Sequence, residues 1–167
     1  MKRGVFFFLC FVVSFACSAP EKDARTHAAR APAGTDFKPV AQVLVDRCGS
    51  IDCHGSSYRN MRLYGFGALR LDPAHQPDAP DTTQAEADAD YEAVVGLEPE
   101  IFREVVASGG ADPSRLTFVR KGRAEEDHKG GPRLFRGDAA DRCVLSWLTG
   151  VVDADTCKSA VPRLQMP

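Results

Sequence analysis

Two cysteines and a histidine stand close together in the stretch Arg47-Cys48-Gly49-Ser50-Ile51-Asp52-Cys53-His54-Gly55. Two thiols at short range, with an imidazole directly after the second, suit covalent haem attachment. The thiols add across the two vinyl groups on one porphyrin edge, and the imidazole turns under the plane to ligate the iron. The adjacency of Cys53 and His54 is the specific part of this pattern. Together with His128, the same side chains would also make an acceptable donor set for tetrahedral zinc. Cys53 and His54 would then both have to turn onto one ion from neighbouring backbone positions. The third chemistry open to Cys48 and Cys53 is a plain disulfide across a tight loop, common in an oxidising compartment.

The motif resembles that of the c-type cytochromes, Cys-x-x-Cys-His, a family with longer-spacer variants; here four residues separate the cysteines, so the loop between them must bulge. The likeness extends over roughly residues 36–150, where the order of features is similar to a group of exported bacterial cytochrome domains. In that group an amphipathic helix enters a Cys…Cys-His-Gly motif, a Leu-Arg-Leu-type segment follows, and a terminal helix with a tryptophan closes the domain. The counterparts here are Leu69-Arg70-Leu71 and the helix around Trp147. The resemblance implies one covalent haem c held by Cys48 and Cys53, with His54 as proximal ligand.

The same resemblance implies a second axial ligand in Asp127-His128-Lys129-Gly130-Gly131, because the group often carries a histidine followed by glycines before its last helix. Glycines let a backbone approach a flat ring that a Cβ would hinder. Met166 is the alternative ligand, while Met61, only seven residues past His54, is too near to cross to the opposite haem face. If His128 does not ligate, an open iron position would suit a peroxidase or a sensor. Arg59, Arg62, Arg70, Arg115, Arg120 and Arg123 flank these segments and are candidates to fork onto a haem propionate.

The segments that must position these groups begin at the N-terminus. Lys2 and Arg3 precede an apolar run from Val5 to Val13 that is too short to span a membrane, and a small-residue exit follows, the pattern of a signal peptide over residues 1–16. Ser14-Phe15-Ala16-Cys17 resembles a lipobox, with Ser14 where leucine is usual, and makes Cys17 the candidate lipid anchor. Cleavage there removes Lys2 and Arg3, so the formal charge of -2 becomes -4. A mildly acidic domain is not built for nucleic acid or anionic lipid. Residues 17–35 read as a flexible tether, 36–160 as the domain, and 161–167 as a C-terminal tail.

The expected fold class is mostly α: a small cytochrome c-like helical domain with long irregular loops. Pro39 suits a first helical turn, and Val40, Val43 and Leu44 share a face that runs to about Arg47, delivering the chain into Cys48. Residues 72–90, rich in Pro, Ala, Asp and Gln, read as an acidic surface loop with little burial, with a helical turn at its end left open, ahead of a helix over 91–97. A further helix opens at Pro99 and stops at Gly109-Gly110. Asp138 caps the clearest one, whose apolar positions Ala140, Val144, Trp147, Leu148 and Val151 repeat with helical period. Trp147 reads as ordinary core, and His27 and His75 as surface residues.

Of six cysteines, Cys10 lies in the signal segment. Cys143 and Cys157 bracket the last helix and its exit, and a disulfide between them would contribute about 3 kcal/mol in the chain-entropy model. No nucleophile elbow, paired-carboxylate pattern, phosphate loop or HExxH motif occurs, so no enzyme activity is expected. The expected function is one-electron transfer between periplasmic or membrane redox proteins, by an exported, lipid-anchored protein of the periplasm or cell envelope. The competing reading is a haem-free structural lipoprotein with Cys48-Cys53 and Cys143-Cys157 disulfides.

Overall fold

A computed structural model describes residues 32–165; the signal segment, Cys17, His27 and Met166 lie outside them. The described residues are helical. They form α1 (Lys38–Cys48), α2 (Gln84–Val95), α3 (Pro99–Ala107), α4 (Thr117–Gly122), α5 (Ala139–Leu148) and α6 (Ala154–Ser159), with 3₁₀ turns at Pro113–Arg115 and Pro162–Gln165. Among them β pairing is confined to two isolated bridges, Tyr64 with Leu69 and Gln76 with Ala79. The domain is therefore mostly α, as its periodicities predict.

Three of the expected helices begin and end where their local chemistry says they should. α1 opens with Pro39 in its first turn and closes on Gly49, whose N–H donates to the Val45 carbonyl. It buries Val40, Ala41, Val43, Leu44 and Val45. α3 starts at Pro99, where a missing N–H costs nothing. α5 is capped by Asp138, which accepts the Asp141 N–H at 2.7 Å. It ends at Leu148, and Gly150 adopts a positive φ of 92°, so Val151 falls beyond the helix and is exposed instead of continuing its apolar face.

The acidic stretch departs from expectation. α2 starts at Gln84, seven residues before the helix expected from Tyr91, and Glu86 and Asp90 are fully buried instead of solvated. The reason is a capping box: the Thr83 hydroxyl accepts the Glu86 N–H, and the Glu86 carboxylate accepts the Thr83 N–H at 2.9 Å. Glu86 also receives Arg70 in two hydrogen bonds, of 2.7 and 3.1 Å. Arg70 reaches the Gln76 and Pro80 carbonyls as well, which straps the 72–83 loop onto α2. Burial works against the charged form of Glu86, but the donors from Arg70, Thr83 and Leu71 outweigh it and hold the carboxyl below its ordinary value.

The core gathers around Trp147, whose ring lies 4.7 Å from Phe37, 5.7 Å from Phe102 and 6.3 Å from Tyr91. Its indole N–H donates to the Ala33 carbonyl at 3.3 Å, and the Tyr91 hydroxyl donates to the Pro32 carbonyl at 3.0 Å. Pro32 and Val161, just outside the expected 36–160 span, are both buried. Cys143 and Cys157 form the expected disulfide and join α5 to α6.

Candidate functional site

Cys48 is the last residue of α1, so the helix presents the first thiol directly at its exit. The spacer then folds back on itself. Cys53 N–H donates to the Ser50 carbonyl at 2.8 Å, His54 N–H to Cys48 at 3.0 Å, and Gly55 N–H to Ser50 at 3.0 Å. These bonds absorb the extra residues of the spacer in a turn that folds back onto the end of α1.

The turn depends on a close approach at Gly55, where a Cβ would lie 2.0 Å from the Gly49 carbonyl oxygen. Both sides of that contact are backbone, so neither can swing away. Gly55→Ala is expected to open the turn and cost about 1–3 kcal/mol, the range for forcing extra atoms into a packed site. Urea unfolding followed by circular dichroism would measure it, and an unchanged midpoint would refute this account of the turn.

His54 is held at two points by one segment. Its Nδ1 lies 2.8 Å from the Met61 carbonyl oxygen, and its own carbonyl accepts the Leu63 N–H at 2.8 Å. A carbonyl only accepts, so Nδ1 carries the proton and Nε2 keeps its lone pair, the arrangement in which histidine binds a metal. Burial lowers the pKa of His54, as do the charges of His128 and Arg59, which favours the neutral imidazole.

The fold brings His128 to His54: the ring centroids are 6.0 Å apart and the planes 26° from parallel. His128 Nδ1 is buried without a hydrogen-bond partner. Its ring rests against Gly130, where a Cβ would come within 3.0 Å of Cε1. That glycine makes room for the His128 ring itself, a role the sequence does not display.

The candidate arginines divide into two groups. Arg70 is committed to Glu86, Arg115 to Glu104, Arg120 to Glu126 and Arg123 to Asp141. Arg59 and Arg62 are exposed and make no side-chain hydrogen bond or ion pair among the described residues. Arg133, not singled out by sequence, is exposed, and its charge acts on Cys48. These three remain available to a carboxylate near the motif.

Cys48 and Cys53 carry free thiols. Burial pushes Cys48 up to about 12 against the opposing pull of Arg133, so it stays a protonated thiol at neutral pH. Thiolate, not thiol, is the species that exchanges into disulfides. Among the described residues no three His, Cys, Asp or Glu side chains are grouped to hold a metal ion. No described helix is long and apolar enough to cross a membrane.

No family model matches this chain, and none of the curated proteins or solved structures compared with it matches it either.

Proposed function

We propose that this protein is an electron carrier of the c-type cytochrome class, with one haem held covalently by Cys48 and Cys53 and ligated by His54 and His128. The observation that carries this reading is the paired approach of the two histidines at 6.0 Å, with His54 held in the tautomer that leaves Nε2 free. The free thiols and the unpaired Nδ1 of His128 support it. Further support comes from Ile51, Tyr58 and Phe135, large side chains exposed on the two segments that bear the histidines. Such apolar surface is what a bound macrocycle buries.

The residues then have distinct roles. Cys48 and Cys53 hold the porphyrin edge as thioethers. The Met61 carbonyl keeps the His54 ring in its tautomer and raises its basicity as a ligand. Gly130 leaves room for the His128 ring, and Arg59, Arg62 and Arg133 are exposed cations that could meet the propionates. Haem iron supplies the one-electron couple when bound, at a lower potential with two histidines than with a methionine ligand. Lys2, Arg3 and Cys17 extend the proposal to an exported, lipid-anchored protein whose partners are redox proteins of the periplasm or membrane.

The test is a denaturing pyridine-haemochrome spectrum on full-length protein made with maturation machinery able to accept a four-residue spacer. A covalent c-type signal is expected, lost in Cys53→Ala. His128→Ala should convert a low-spin ferric spectrum to high spin; an unchanged low-spin spectrum removes His128 from the ligand set. A colourless protein, where a control with the same spacer is coloured, refutes the cytochrome.

A further inference from the structure

Asp90 is fully buried on α2, and no role in haem binding follows from its position in the chain. Its Oδ1 accepts the Tyr64 N–H at 2.7 Å, while Oδ2 is buried without a partner. A buried carboxyl with half its capacity unused is costly to keep. What it holds is the segment 61–64, and that segment is the one gripping His54, through the Met61 carbonyl at the ring and the Leu63 N–H at the backbone.

We infer that Asp90 is a positioning residue for His54: by anchoring Tyr64 to α2 it holds the Met61–Tyr64 strap against the histidine, and so keeps the His54 proton on Nδ1 and the lone pair on Nε2. The function of this positioning rests on the reading of His54 as an iron ligand. The charged neighbours agree with it. Glu86, one turn earlier on α2, is paired with Arg70, and its charge adds to burial in pushing Asp90 up to about 8. At neutral pH Asp90 is therefore a protonated acid that still presents Oδ1 to Tyr64. Asparagine has the same shape, the same acceptor and no charge, and should replace it. Leucine fills similar space but leaves the Tyr64 N–H unsatisfied.

The decisive experiment uses the full-length chain made without haem, and reads the ¹⁵N imidazole shifts of His54 together with hydrogen exchange at the Tyr64 amide. The wild type and Asp90→Asn are expected to show a single Nδ1–H tautomer and a protected Tyr64 amide. Asp90→Leu should populate both tautomers and exchange the Tyr64 amide roughly tenfold faster, the effect of losing one hydrogen bond. An Asp90→Leu variant with wild-type tautomer and protection overturns the inference. So does a wild type in which His54 already populates both tautomers, a result that stands even if the leucine variant does not fold. The haemochrome spectrum of the wild type reports separately on the cytochrome reading, so a colourless protein with a single His54 tautomer would sink that reading and leave the Asp90 contact intact.

Discussion

Replacing Arg123 with methionine is expected to remove about 3–5 kcal/mol of folding stability, because it strands a buried charge. The Arg123 and Asp141 side chains are each only 2% exposed and meet at 2.7 Å. Arg123 also donates to the Ser114 hydroxyl at 3.0 Å. Asp141 makes a second contact, in which its other oxygen accepts the Gly137 N–H at 2.8 Å. The pair therefore ties together the two ends of the 124–137 loop that carries His128. Arg123→Met leaves Asp141 without its cation, in a place water does not reach. Two consequences follow, a lower urea midpoint and a His128 segment no longer held at its ends. The double variant Arg123→Met with Asp141→Leu should recover much of the loss, since removing both charges of a buried pair is far cheaper than removing one. If the single variant unfolds at the wild-type midpoint, the pair does not anchor the loop.

Trp147→Ala is the second change of that size, at about 3–5 kcal/mol. The indole is 1% exposed and is the meeting point of Phe37, Tyr91 and Phe102, so the N-cap of α1 and the helices α2 and α3 all lose contacts to it. Alanine would leave a cavity lined by rings too large to collapse into it. It would also free the Ala33 carbonyl, which loses its indole donor but can turn to solvent and adds little. Against a total stability of roughly 5–15 kcal/mol for a domain, this change alone brings the protein near the unfolding transition. Trp147→Phe keeps most of the contacts and should cost distinctly less. Because Trp147 is the single tryptophan, circular dichroism rather than fluorescence is the probe. A loss below about 1 kcal/mol, smaller than any large-to-small core change of this kind, would mean that the indole is not the centre of the core.

The elements that the sequence displays are those whose signals act over a turn or two. Pro39 and Gly49 bound α1, Pro99 opens α3, and Asp138 caps α5, each through contacts within four residues. Composition misled where a local signal was present but outweighed by apparent polarity. Residues 84–90 look like solvated loop because they alternate acid and alanine, yet Thr83 and Glu86 have the capping-box spacing that starts α2. α4 and α6, six residues each, are too short to show a clear apolar period.

By itself the sequence determined the helical class, the delivery of Cys48 from the end of α1, the adjacency of Cys53 and His54, and the Cys143–Cys157 bridge. All of these rest on neighbours along the chain or on a pair of like residues 14 positions apart. Only the tertiary structure decided which arginines are spent, since Arg70 finds Glu86 across 16 residues and Arg123 finds Asp141 across 18. It also decided that a backbone carbonyl orients His54, that Asp90 reaches Tyr64 across 26 residues, and that His128 comes to lie beside His54. A carbonyl is common to every residue and a buried carboxyl looks like a surface one in sequence. Partners of that kind are selected by packing, after the helices have set their faces against one another.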